Sequence, residues 1–245
     1  MAKVSFSFDD SLADTYTLAF PVLKKFKMPF TINSITKPIE EGSERFMTLE
    51  QLKECYEYGA EIACHGHTHQ NDRQDVLDNI DYLKKHNLFE DNIGFASPRS
   101  EITLENGTDI KDLIKEGKLS YIRSGICVRR EGLLYSALSY AERKTHSKWL
   151  FYILNKRNII KCVDPTLVKS VAITKYTTVD QIMYLLDRVN SDESVILMFH
   201  HIIDGKDTVS GGVWACQKKD FYDLCERISN RNEMEVVTTM EMIKK

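Results

Sequence analysis

An apolar run ending on two adjacent carboxylates, Phe8-Asp9-Asp10, and a downstream histidine cluster, His65-Gly66-His67-Thr68-His69, are the residues of this chain best suited to chemistry. Acids and histidines in this combination can make a mononuclear metal site that leaves one carboxylate free as a base, which is the equipment of a hydrolase. His65 and His69 stand at i, i+4, a spacing that on a helical turn aims both rings to one side, and Asp10 is the candidate third ligand. The plainer alternatives are a solvated loop for the histidine segment and a turn or helix N-cap for the acids. Adjacent acids after a buried strand repel one another unless a cation or cationic side chain is close. Their co-occurrence with the histidines, and with His200-His201 at the end of another apolar run, favours the site.

These residues need elements to bring them together. Residues 4–8 alternate apolar and small side chains as a strand does, and 13–27 carry Leu18, Phe20, Val22, Leu23 and Phe26 at roughly helical spacing. A strand is predicted at 29–32, and Thr48-Leu49-Glu50-Gln51 is a capping box opening a helix that should end near Gly59. A strand at 61–64 then delivers His65. Helices at 76–85, 109–116, 178–189 and 218–230 alternate with strands at 93–96, 121–122, 170–174, 195–199 and 235–238. The run at 195–199 reads as a strand buried on both faces. Residues 125–164 break the rhythm, with Arg129-Arg130 and an aromatic stretch around Trp149, Phe151 and Tyr152, and read as an irregular insertion. Repeated βα units imply a parallel sheet with helices outside, open or closed into a barrel. Asp9, Asp10, His65, Pro98, Arg123 and His200 would then gather at its C-terminal edge.

With 245 residues and 42% hydrophobic content, a single domain spanning 1–245 is expected. The 33 basic and 36 acidic residues form no polybasic block, which argues against nucleic acid or anionic lipid as a partner. No apolar run reaches the length of a membrane span. A strand starting at Lys3 leaves no room for a signal peptide, so a cytoplasmic location is expected. The six cysteines show no CxxC spacing and are expected to be free thiols packed in the interior.

Taken together, the motifs resemble those of the polysaccharide deacetylase family, also called the NodB-homology or carbohydrate esterase 4 family. Phe8-Asp9-Asp10 is similar to its first motif, His65 to His69 after Glu61-Ile62-Ala63-Cys64 to its second, and Leu197-Met198-Phe199-His200 to its last. The resemblance implies an α/β fold, a distorted parallel (β/α) barrel in one domain. It also implies Asp9 as general base, Asp10, His65 and His69 as ligands of a divalent metal ion with Zn2+ foremost, and His200 as general acid. The third motif would fall at Phe95-Ala96-Ser97-Pro98-Arg99, which makes Pro98 a substrate-site residue and the Arg99 amide the oxyanion donor.

Ala96 departs from the pattern, because many members carry there an Arg paired with the base. Arg123 and Arg99 are the candidates to supply that charge, Arg123 the better for following a strand; the ordinary role of either would be a surface ion pair. The family's fourth motif, an acid and a Trp that buttress the acidic His, has only a loose counterpart in Asp164. Trp214, beside Gly211-Gly212, is a candidate for stacking on a sugar, His67 for local hydrogen bonding and His201 for a place on the rim or just behind the site. The activity so implied is removal of acetyl from an N-acetylated sugar, either a small molecule or a lipid- or nucleotide-linked precursor of a surface polysaccharide. The alternatives are hydrolysis of another C–N amide, such as a cyclic imide or ureide, and an inactive carbohydrate-binding relative.

Overall fold

The computed structural model describes residues 1–124, 132–205 and 212–244; Cys127, Arg129, Arg130 and Gly211 lie outside them. Eight parallel strands make the frame: β1 (Ala2–Asp9), β2 (Thr31–Ser34), β3 (Glu61–Cys64), β4 (Gly94–Ala96), β5 (Tyr121–Ser124), β6 (Val168–Lys169), β7 (Val171–Ala172) and β8 (Ser194–Phe199). They run in the order β6-β5-β4-β3-β2-β1-β8-β7. The two end strands are separated in the chain only by Ser170, so one segment pairs with β5 through its first half and with β8 through its second. The sheet thereby curls into a nearly closed barrel with helices outside. The strand expected at 170–174 is this closing stave, shifted and interrupted. Beyond β8, β9 (His201–Ile203) pairs with β10 (Ala215–Gln217), and β11 (Met234–Val236) adds to the start of β1.

The alternation along β1 decides what lies inside. Val4, Phe6 and Phe8 occupy one face and Ser5, Ser7 and Asp9 the other, and all are buried. Phe6, Phe8 and Phe199 pack with Phe221 of the helix Lys218–Ser229 at ring separations of 5.4 to 6.1 Å. Burying each such ring contributes roughly 1.5–3 kcal/mol. The opposite face builds a polar barrel interior. At its N-terminal end the Glu61 carboxylate accepts from the Tyr121 hydroxyl at 2.7 Å, the Thr31 hydroxyl at 2.8 Å and the Met240 N–H at 2.8 Å. The Tyr121 ring passes so close to Gly94 that a Cβ there would fall 2.0 Å from it, so only glycine fits.

Burial of Glu61 outweighs these donors and raises its pKa above the usual carboxylate value. The folded state therefore holds this proton more tightly than the unfolded chain. Its stabilising contribution is fully present below the unfolded pKa and is lost as pH rises through the raised folded value. The difference in urea midpoint between the parent and Glu61→Gln is expected to depend on pH over that window. A pH-independent difference would remove Glu61 as the titrating group.

Local signals account for most helix boundaries. Thr48 and Gln51 form the expected capping box on the helix Leu49–Tyr58, closed by Gly59 at φ 110°, and Thr178 with Gln181 does the same for Val179–Leu186. A third box, Thr238 with Glu241, opens a helix Thr239–Ile243 in place of the end of the strand expected at 235–238. Within the stretch expected to be irregular, residues 132–164 are more regular than the sequence suggests, carrying the helices Leu133–Thr145 and Lys148–Asn155. Leu133, Leu134 and Tyr140 of the first face solvent, so no buried apolar stripe marks its period, and the second buries Phe151 while Trp149 stays exposed. Cys162 likewise departs from expectation, being exposed rather than packed inside. Among the described residues no helix is long and apolar enough to cross a membrane.

Candidate active site

Strand register brings the chemistry to one end of the barrel. Phe8 pairs with Phe199, Asp9 with Asn33, Ser34 with Cys64, Cys64 with Phe95 and Ala96 with Arg123. Asp9, His65, Arg123 and His200 thus stand at or just past the C-terminal ends of neighbouring strands. Directly after β1 the backbone turns left-handed, at φ 76° for Asp10 and 56° for Ser11, conformations that cost of order 1–3 kcal/mol outside glycine. That turn separates the two acids. Asp9 stays inside the barrel and Asp10 swings toward the histidines.

Asp10 Oδ1 lies 3.3 Å from His65 Nε2 and 3.6 Å from His69 Nε2. Yet it is buried without an aligned hydrogen-bond partner among the described residues. The His65 Nδ1 lies 2.8 Å from the Ala96 carbonyl, which can only accept, so Nδ1 carries a proton and Nε2 is the nitrogen that would be offered to a cation. Ala96 therefore serves the site through its backbone. Tetrahedral bonds of about 2.0–2.2 Å put adjacent ligand atoms roughly 3.3–3.6 Å apart, so an orphaned carboxylate oxygen with two imidazole nitrogens at these distances fits a divalent cation. The ligand atoms of the three residues all lie within 4.8 Å of one another. The helical turn expected to align the histidines is absent. Residues 65–70 form an irregular loop in which Gly66 and His69 are left-handed.

Asp9 is held apart from this cluster by a different set of partners. Arg123 Nη2 donates to both carboxylate oxygens, at 2.6 Å and 2.7 Å, and Asn33 Nδ2 donates to Oδ1 at 2.8 Å. Arg123 is 1% exposed and its Nη1 donates to the Ser170 hydroxyl at 3.1 Å, at the break in the closing stave. Burial opposes ionisation of Asp9, but the positive charge of Arg123, then of His65 and His200, outweighs it and holds the pKa below the ordinary carboxylate range. Asp10 is depressed too, against burial, by its histidine neighbours.

His200 Nε2 sits 3.8 Å from Asp9 Oδ2, and burial pulls its pKa below the usual imidazole value. The His200 ring packs against Trp214, centroids 4.9 Å apart. Of the two places expected for His201 the structure gives the one behind the site: it is buried, its Nδ1 donating to Asp14 at 2.6 Å. Asp14 also accepts the Ile202 N–H at 3.2 Å, which ties the loop after Asp10 to the strand after His200. His67 meets the Thr36 hydroxyl through Nδ1 at 2.8 Å.

Pro98 is buried beside this end of the barrel. Arg99 is left-handed at φ 54°, its side chain half-exposed and paired with Glu101 at 2.9 Å. The structure thus gathers Asp9, Asp10, His65, His69, Arg123, His200 and Trp214, and turns the Arg99 guanidinium outward. Asn33, Ser170 and Asp14 complete the surroundings without having been singled out from sequence. A polar residue at an inward strand position was the available signal for Asn33; Asp14 and Ser170 act through partners more than 40 residues away.

A family model described as polysaccharide deacetylase matches residues 2–93. YxkH of Bacillus subtilis (strain 168), a curated relative carrying the same family description, is 44% identical over 62 residues, 25% of this chain; the matched region spans only 22% of that relative's length. Among solved structures, the Xyl-CE4 domain of a multidomain xylanase from the hindgut metagenome of Trinervitermes trinervoides aligns over 99% of this chain and 90% of that one, with a TM-score of 0.55 at 13% identity. A family 4 acetyl xylan esterase from Clostridium thermocellum, solved with a cobalt ion, aligns over 98% and 89%, with a TM-score of 0.54 at 13% identity. At these identities the likeness is one of fold, and it spans the whole barrel.

Proposed function

We propose that this chain is a metal-dependent hydrolase that removes acetyl from an N-acetylated sugar, a reading supported by the polysaccharide deacetylase model that matches residues 2–93 and, for the fold, by the barrel it shares with solved structures. Asp10, His65 and His69 would hold a divalent cation, Zn2+ first among candidates. Such a cation, when bound, lowers the pKa of water and polarises a carbonyl. The observation that carries the reading is Asp9, a buried carboxylate kept ionised by Arg123 and kept off the ligand cluster.

Of its two oxygens, Oδ1 accepts from both Arg123 and Asn33, whereas Oδ2 accepts from Arg123 alone and faces His200. Oδ2 is the atom with room to take a proton from an attacking water. The hydroxide oxygen bonds to the acetyl carbon, and the Arg99 backbone N–H is the proposed donor to the developing oxyanion. His200 delivers a proton to the departing nitrogen as the C–N bond breaks, because an amide nitrogen does not leave as an anion. Acetate and a free amine are the products. Packing of Trp214 against His200 supports a role in fixing the acid's ring as well as in bordering the sugar.

The substrate we infer is a precursor of a surface polysaccharide, handled in the cytoplasm. The test is acetate release from free, nucleotide-linked, lipid-linked and oligomeric N-acetyl sugars, with cyclic imides and ureides alongside. Release from one or more sugars supports the reading. Turnover confined to the imides or ureides would replace it, and binding of sugars without turnover would leave an inactive relative.

A further inference from the structure

The loop that presents His65 and His69 has no repeating backbone structure to hold its shape. What grips it is one face of the helix Arg73–Lys85. Asp75, buried at 9% exposure, accepts through Oδ1 from the Thr68 N–H at 2.9 Å and the Thr68 hydroxyl at 2.6 Å, and through Oδ2 from the Gln70 N–H at 3.1 Å. Its backbone carbonyl accepts the His67 N–H at 3.1 Å. One turn further on, Asn79 accepts the His65 N–H at 3.1 Å and donates to the Thr36 hydroxyl at 2.7 Å, which in turn meets the His67 ring. Four of the loop's backbone N–H groups are thereby aimed at two residues of one helix face, at i and i+4.

The fit is steric as well as polar. A Cβ on Gly66 would lie 2.6 Å from Asp75 Oδ2, so the carboxylate fills the hollow that the glycine leaves. Asp75 is itself seated by Asp72, the N-cap, which accepts the N–H groups of Gln74 and Asp75 at 2.9 Å and 3.2 Å. His69, held left-handed at φ 66°, depends on its surroundings to stay there.

We propose that Asp75, with Asn79, is the positioning residue that shapes the two-histidine loop for a divalent cation before the cation arrives. This inference rests on the metal-site reading of Asp10, His65 and His69. Without the carboxylate, three donors lose their acceptor and the loop spreads over other conformations, so cation binding has to order it. Partners of metal ligands typically govern affinity by about 10–100-fold. A merely structural Asp75 would lower thermal stability and leave the affinity of the folded protein unchanged.

The experiment is titration of metal-free protein with Zn2+ against a chromophoric chelator, together with the visible spectrum of the Co2+ form. Asp75→Ala is expected to bind Zn2+ about 10–100-fold more weakly than the parent, with an altered Co2+ spectrum. Asp75→Asn keeps one acceptor oxygen but sets an amide group where Gln70 needs an acceptor, and should fall between the two. Because it is isosteric, it carries the test should the alanine variant not fold. Parent-like affinity and an unchanged Co2+ spectrum in folded Asp75→Asn and Asp75→Ala would overturn the role. A parent protein that binds no Zn2+ would instead remove the metal site itself, and this inference with it.

Discussion

Asp9→Asn is expected to slow acetate release by about 10²–10⁴-fold, the usual contribution of a positioned general base, while one equivalent of divalent cation stays bound. The substitution preserves shape and removes the capacity to take a proton together with the negative charge. Since Asp10, His65 and His69 make the ligand cluster without Asp9, metal content should not change. The variant also leaves the Arg123 guanidinium buried beside a neutral amide, so a lower melting temperature is expected, and kcat must be read below it. Unchanged turnover at full metal occupancy would remove Asp9 as the base.

Arg123→Met should have the largest effect on the fold. With Arg123 at 1% and Asp9 at 3% exposure, removing the cation strands a carboxylate inside the barrel, and breaking such a buried pair costs about 3–5 kcal/mol. The burial that opposes Asp9 ionisation would then go unanswered, so the carboxylate's pKa should rise and its fraction ionised at neutral pH should fall. Adding Asp9→Asn to Arg123→Met should recover part of the lost stability, because no charge is left buried. Urea unfolding of the two single variants and the double variant measures this coupling. Additive losses would mean that the pair contributes nothing beyond the packing of its two side chains.

Those two residues also show how far a sequence can be read. Asp9, Asp10, His65 and His200 were legible because each directly follows a strand whose own pattern is strong: the alternation of β1, the short run of β3, the doubly buried run of β8. Helices opened by Thr48 and Thr178 were legible for the same reason, since a capping box is a contact within four residues. Arg123 was visible as a residue after a strand, but its pairing with Asp9 joins positions 114 apart and depends on barrel closure at Ser170.

The shape of the histidine loop is not legible in its spacing. Spacing alone suggested a helical turn, whereas left-handed Gly66 and His69, held from the helix that follows, bring the rings together. In Leu133–Thr145 the large apolar residues Leu133, Leu134 and Tyr140 face outward, so periodicity, which reports a buried stripe, has little to report, and Lys148–Asn155 is a short helix that buries Phe151 while exposing Trp149. Asp14 and Asp75 look like ordinary loop and first-turn acids until the chain segments they bind are brought beside them.

One cation on Asp10, His65 and His69 should enable hydrolysis assisted by Asp9. The most direct test is acetate release from the N-acetyl sugar turned over best, measured on parent and Asp10→Ala protein before chelation, after it and after return of Zn2+. The parent should hold one equivalent of metal, lose activity with it and regain both, and Asp10→Ala should neither retain metal nor recover. Full turnover by metal-free parent would remove the cation from the reaction, and stoichiometric metal in Asp10→Ala would remove Asp10 as its ligand.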